Sequence, residues 1–274
     1  MNYQEVLKMK HNDRFSLSML KPDKKLPDGG YMSYSRLSMY LSCPKKFEYR
    51  YVKKMIAPTS VNLAEGSAVH SAVEFDNIIK IYHGRQGVLE EIIEAYEYAW
   101  NRKKQEVSKS EWVKSEETPD IVFTRDMALL KAYVGGSSNN IVPSIDPEFK
   151  LEVIISGVPF LMFIDCIENE RIIDYKTVSR KKSKWEIDND IQLTLYSMAI
   201  GISRVAFCQF LKVKVPYVHI EESFRTTKDY AKTEDIVRDV VDAICKGSFP
   251  RSNPSESFPC SPQYCGYWDI CKKQ

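Results

Sequence analysis

The feature that most constrains this chain is a pair of apolar runs, each interrupted by one aspartate. Residues 158–167 carry Asp165 near their end, and residues 171–177 carry Asp174 within Ile-Asp-Tyr-Lys-Thr. Asn169 and Glu170 read as a tight reversal, so the two runs should pair as a hairpin. With a two-residue loop, Glu168 faces Arg171, Ile167 faces Ile172, and Asp165 lands opposite Asp174. A longer loop shifts the register but keeps the carboxylates neighbours. Residues two apart on a strand share a face, which sets Lys176 beside Asp174. Like charges directly opposite each other destabilise a sheet. A divalent cation held between the acids turns that repulsion into coordination. The plainer alternative is a surface hairpin with its acids in solvent and a lysine guarding an edge.

At 274 residues the chain has room for one large domain or two small ones, either with a real core. Apolar content of 43% and charged content of 28% are ordinary for a globular protein. The net charge of +2 is no basic signature, so any nucleic-acid surface must be local. The first residues lack the apolar core of a signal peptide, and the longest apolar stretch, 158–164, is too short to span a membrane. Seven cysteines, an odd number, point to a reducing compartment where grouped thiols bind metal more often than they pair. The expectation is a cytoplasmic protein with no membrane contact.

Along the chain, residues 1–30 are polar and lysine-rich and read as a flexible N-terminal arm, followed by a single domain over 31–274. Within it, 31–146 are mainly helical, with helices expected through Leu41 after Ser33 or Ser35, from Pro44, and over 62–82, 88–104 and 120–134. Residues 147–225 form the α/β part: strands at 149–155, 158–167 and 171–177, a helix at 190–200, and a strand pair at 205–213 and 217–224. Residues 226–274 hold an amphipathic helix to about Lys246 and a cysteine-rich end. The fold class is therefore α/β, with a helical region preceding the strands.

Several further residues fit a phosphodiester-cleaving centre. Gln192 and Tyr196 are four apart on one helix face, placed to contact a phosphate or hold Lys176, or equally to form a polar stripe. His70 follows Glu65-Gly66-Ser67-Ala68-Val69 on a helix and offers an imidazole ligand, although a lone helical histidine is commonly structural. Glu74, one turn on, and Glu152, on the first strand, are weaker candidates. Cys260, Cys265 and Cys271 supply three thiolates, and Cys43 is the best fourth. Four thiolates suit structural zinc or a [4Fe–4S] cluster, and the absence of paired C-x-x-C knuckles favours the cluster. Cys166, Cys208 and Cys245 fall inside regular patterns as small apolar residues. Lys45, Lys46 and Arg50, with Phe47, Tyr49 and Tyr51, and Arg180, Lys181 and Lys182, near Trp185, mix charge with aromatics as single-stranded nucleic acid requires, or as solvated faces allow.

Taken together, Ser33–Tyr51 with Cys43, Gly66–His70, the Asp165 strand, the Asp174 strand, Gln192–Tyr196 and the cysteine triplet resemble, in order, a RecB-type nuclease of the PD-(D/E)XK superfamily. The resemblance is to its iron–sulfur branch, which includes CRISPR-associated exonucleases and AddB-type helicase–nuclease subunits. It implies a mixed central sheet flanked by helices and Mg²⁺ or Mn²⁺ at His70, Asp165, Asp174 and the Tyr175 backbone carbonyl. It implies that Lys176 is catalytic, with Gln192 and Tyr196 as the accompanying motif, and that Cys43, Cys260, Cys265 and Cys271 hold a [4Fe–4S] cluster. Asp174 stands where many members carry Glu, and four residues separate Cys260 from Cys265 where two are common. No GxxxxGK[ST] motif is present, so the chain carries no helicase motor within it. The implied activity is a metal-dependent DNA exonuclease acting on single strands or ends, with recombination, replication or CRISPR-type protein partners. A non-catalytic iron–sulfur DNA-binding subunit or a structure-specific endonuclease are the alternatives.

Overall fold

The structure is a computed structural model that describes residues 15–16, 23–28, 30–145, 147–255, 257 and 260–272. In chain order its elements begin with β1 (Phe15–Ser16), α1 (Tyr34–Ser42), α2 (Pro44–Phe47), α3 (Val61–His83), α4 (Leu89–Lys103), α5 (Lys109–Ser115) and α6 (Pro119–Ala132). They continue with β2 (Phe149–Ile155), β3 (Val158–Ile164), β4 (Cys166–Ile167), β5 (Ile172–Val178), α7 (Lys184–Asp188) and α8 (Ile191–Ile200). β6 (Arg204–Leu211), β7 (Tyr217–Phe224), α9 (Thr227–Cys245) and α10 (Trp268–Lys272) complete them. The expected α/β class, with a mixed sheet flanked by helices, is what the chain adopts.

Two compact units form, and neither is a continuous stretch. One combines Thr59–Lys150 with Phe163–Thr226, and the other combines Phe15–Pro58, Leu151–Met162 and Thr227–Gln274. The chain leaves and re-enters each unit.

In the first unit, α3 starts at Ser60, whose hydroxyl accepts the Leu63 N–H, and stops at Gly84 in a left-handed conformation (φ 61°). Small residues on its buried face, Ala64, Ala68 and Ala72, let it pack closely with Ile92, Tyr96 and Trp100 of α4. Buried Glu65 anchors the same helix through Arg125 at 2.7 Å and Lys212 at 2.8 Å. The sheet order is β4-β5-β6-β7, with β5 antiparallel to β4, parallel to β6, and β6 antiparallel to β7. Ile172 through Tyr175 are all buried, as befits an inner strand covered on both faces. The parallel β5–β6 pair needs a crossover, which α7 and α8 supply. Ser183 opens α7 with a reciprocal cap to Glu186, and Asp190 caps α8 by accepting the Leu193 N–H.

The hairpin register is the one the two-residue loop demands: Cys166 opposite Ile173, Ile167 opposite Ile172, and Glu168 N–H on the Arg171 carbonyl at 2.8 Å. The strand expected over 158–167 nevertheless breaks at Asp165. β3 ends at Ile164 and β4 begins at Cys166 in a different sheet. At the break the Asp165 side chain, not a backbone carbonyl, takes the Tyr175 N–H at 2.7 Å. Short helices α5 and α7 carry good caps but too little apolar period to be read from sequence. α6 ends at Ala132, and a wider turn over Tyr133–Ser137 absorbs Gly135 and Gly136.

In the second unit, β1-β2-β3 form a three-stranded sheet with β1 parallel to β2. Ser156 and Gly157, at φ 51° and 78°, close the β2–β3 hairpin with the left-handed pair such tight loops favour. Met32 bridges alongside Phe160, and Ser33 then caps α1. Tyr40 on α1 donates to the Ser248 carbonyl at 2.6 Å and meets Phe47 and Phe249 edge-on. Part of the stretch read as a flexible arm is held: Phe15–Ser16 pair with Leu151 and Glu152, Leu26 is buried, and Lys24 pairs with Asp242 at 2.5 Å. Residues 1–14, 17–22 and 29 of that stretch lie outside the described residues. Among the described residues no helix is long and apolar enough to cross a membrane.

Candidate active site

Strand β5 and helix α3 bring the acidic pair, the lysine and the histidine of the first unit together. Asp174 is almost wholly buried (1% exposed), and Lys176, on the same strand face, reaches its Oδ2 at 2.7 Å. Asp165 is buried one strand away and is fixed by the Tyr175 N–H. Tyr175 is in turn locked by Asn77, whose amide donates to the phenol at 2.8 Å. The His70 ring stands edge-on to Tyr175, with centroids 6.1 Å apart, and its Nδ1 lies 3.8 Å from Asp165 Oδ2.

The donor atoms of His70, Glu148 and Asp165 all lie within 4.8 Å of one another. Asp174 is paired with Lys176 beside this group, and Glu148 stands in the group, a place the sequence reading did not give it. Glu148 sits in the bend before β2 at φ 55°, with its N–H 3.4 Å from the Asp165 carbonyl. Its only signal in the sequence is an acid next to the first strand, and that signal pointed equally to Glu152. Glu152 lies on β2 opposite Ser16, in the other unit.

Electrostatics fit a cation site. Burial, then the Asp174 charge, pushes the Asp165 carboxyl well above the usual range, with Glu74 adding to it. Burial holds the His70 imidazole below its ordinary value, against the pull of Asp174, so the ring stays neutral and able to coordinate. Two carboxylates and an imidazole match a hard divalent ion such as Mg²⁺ or Mn²⁺.

α8 presents Gln192 and Tyr196 as expected. The Gln192 amide donates to the Tyr196 hydroxyl at 2.8 Å, which donates to the Phe163 carbonyl at 2.6 Å, two residues before Asp165. Gln192 Oε1 is buried and has no hydrogen-bond partner among the described residues. Burial first, then Asp174 and Asp165, raises the Tyr196 phenol, so it remains a donor. The basic residues after β5 are not free cations: Arg180 holds Glu186 at 2.7 Å, Lys181 reaches Glu221 at 3.4 Å, and Lys182 pairs with Asp190 at 3.1 Å while covering the Phe207 ring at 4.3 Å.

The second unit gathers the four cysteines. Cys43, extended between α1 and α2, lines a cavity of about 240 Å³ together with Cys260, Cys265 and Cys271. Burial raises the Cys43 thiol, but hydrogen bonds from Ser252 and from the Lys46 and Lys45 backbones outweigh it and leave the thiol below its ordinary value. Burial raises Cys260, and the neighbouring Cys43, Cys265 and Cys271 raise it further, since four thiolates repel. A bound cationic group relieves that repulsion. Lys45 and Lys46 also line this cavity, with Lys45 paired to Glu48 at 2.5 Å, and Arg50 lies over Tyr51.

A family model described as the PD-(D/E)XK nuclease superfamily matches residues 31–272. No curated protein matches the chain. Among solved structures, a provisionally assigned exonuclease from Eubacterium rectale is 15% identical over 89% of this chain and 88% of its own, with a TM-score of 0.49. SSO0001 is 13% identical over 99% of this chain and 94% of its own, with a TM-score of 0.42. Likenesses this slight carry nothing about function, and the family match stands without them.

Proposed function

This chain belongs to the PD-(D/E)XK nuclease superfamily, and we propose that it is a metal-dependent DNA exonuclease of the RecB-type, iron–sulfur branch, acting on single strands or ends. The observation that carries the reading is the buried Asp165–Asp174 pair, with Lys176 on Asp174 and His70 beside Asp165. His70, Asp165 and Asp174, with the Tyr175 carbonyl, would hold Mg²⁺ or Mn²⁺. The ion supplies Lewis-acid polarisation of the scissile phosphate and of a water. The Lys176 ammonium sits where it can orient that water and steady developing charge. Gln192 and Tyr196 fix the backbone leading into Asp165, and the buried Gln192 Oε1 can accept from an enclosed water.

The four cysteines that line one cavity supply the thiolates of a [4Fe–4S] cluster, which the triplet's spacing, without paired C-x-x-C knuckles, favours over zinc. The protein is placed by this reading in the cytoplasm, with recombination, replication or CRISPR-type partners. The test is cleavage of 5′- and 3′-labelled single- and double-stranded DNA with Mn²⁺ and with EDTA, on protein purified without oxygen. Release of mononucleotides from one end of single strands, abolished by EDTA, is expected. Metal-independent cleavage or none at all would overturn the reading.

A further inference from the structure

We propose that Glu148 is a metal-binding side chain of this centre, joining His70 and Asp165 at the ion, an inference that rests on the metal-dependent reading above. Three observations converge on it. The Glu148 carboxylate, the His70 imidazole and the Asp165 carboxylate offer donor atoms within 4.8 Å of one another. The Glu148 and Asp165 backbones meet through the 3.4 Å contact, so the bend before β2 and the break after β3 form one local structure in the first unit. Charge balance makes the third point. Lys176 offsets part of the Asp174 charge at 2.7 Å, so a dication held by His70, Asp165 and Asp174 gains from a further carboxylate, which Glu148 supplies.

The backbone agrees with a selected role. Glu148 holds φ 55°, a conformation that costs an ordinary L residue energy and that glycine adopts freely. Such conformations persist where the surroundings over-determine them and cluster at functional sites. If the acid served stability alone, glycine would be the better residue here. The strained glutamate keeps a carboxylate against His70 and Asp165. This places a ligand outside the strand motif, on the segment that enters β2.

The experiment is a Mn²⁺ titration of the full chain, followed by calorimetry and by the electron paramagnetic resonance of free Mn²⁺, in wild type, E148Q, E148G and E152Q. E148Q should bind Mn²⁺ at least about tenfold more weakly, since even outer partners of a metal cost that much. E148G should lose the same affinity while its metal-free melting temperature holds or rises, a split that a purely structural role does not produce. E152Q, the charge control, should match wild type. Wild-type Mn²⁺ affinity in a folded E148Q or E148G overturns the assignment, as does an equal loss in E152Q. If E148Q fails to fold, E148G decides. A wild-type chain that binds no Mn²⁺ overturns both this inference and the reading beneath it, whereas Mn²⁺-dependent cleavage unaffected in affinity by E148Q overturns this inference alone.

Discussion

The acidic site and the cysteine site position their candidate ligands in opposite ways. Asp174, Tyr175 and Lys176 lie on a strand paired along its whole length with β6, and His70 lies on a long helix capped at both ends. Their side chains are set before an ion arrives. The cysteines come from an extended residue between two short helices and from a tail with little regular structure, around a common cavity. There, the backbone bonds are local turns, Cys260 N–H to Ser257, Cys265 N–H to Ser261 and Cys271 N–H to Tyr267, and the proposed cluster would tie them to Cys43. On the proposed reading, the contrast is that metal would add chemistry at the first site and folding free energy at the second.

The largest expected effect is at the first site. Asp174→Ala or Lys176→Ala should lower cleavage by at least about a hundredfold, the scale of losing one preorganised charge contact, with the melting temperature still measurable. A variant that loses activity only because it unfolds would erase the contrast. At the second site the order reverses. Cys43→Ser, Cys260→Ser, Cys265→Ser or Cys271→Ser should each bleach a brown protein, drop iron from about four per chain and lower thermal stability. Cys166→Ser should leave the colour intact, because that thiol is buried in the first unit and pushed up to about 12 by burial. One zinc in a colourless protein would keep a shared metal on the four cysteines and remove the cluster.

His70→Ala should weaken metal affinity by roughly tenfold or more, and pH sharpens the point. The raised Asp165 carboxyl favours the metal-free fold in acid; that contribution is present below the ordinary aspartate value of about 3.9 and is lost as pH rises through Asp165's own, higher one. An arriving ion must displace that proton, so Mn²⁺ affinity should climb across the same window, and Mn²⁺ should raise the melting temperature more at pH 8 than at pH 5.5. His70, held low, does not set that window. The smallest effect is expected at Asp126 on α6, pushed up to about 8 by burial and the Glu65 charge, with Tyr96 donating to it at 2.6 Å. Its sign is the same: stability it contributes is lost as pH rises through about 8. Asp126→Asn should flatten the fall in urea midpoint between pH 6 and pH 9.

The hairpin was readable because turn residues and period-2 apolar runs are local, and the pairing of Ile167 with Ile172 follows from them. The cap at Ser33 was readable for the same reason. The break at Asp165 was not, since it depends on a side chain taking the place of a ladder carbonyl. Glu148 was hidden because its placement depends on a left-handed bend that glutamate rarely adopts. The basic run after β5 looked free until Glu186, Glu221 and Asp190 closed on it, two of them within reach along the chain and Glu221 only through β7. The division into two units rests on long-range packing that no local pattern carries.

The central claim is tested most directly by following end-labelled single-stranded DNA with wild-type and Asp174→Ala protein, each stripped with EDTA and then titrated with Mn²⁺. The account predicts that wild type regains cleavage as Mn²⁺ is added, while Asp174→Ala binds the DNA within a few-fold and leaves it intact at every Mn²⁺ concentration. Equal cleavage by the two proteins, or cleavage by EDTA-stripped wild type, would contradict it.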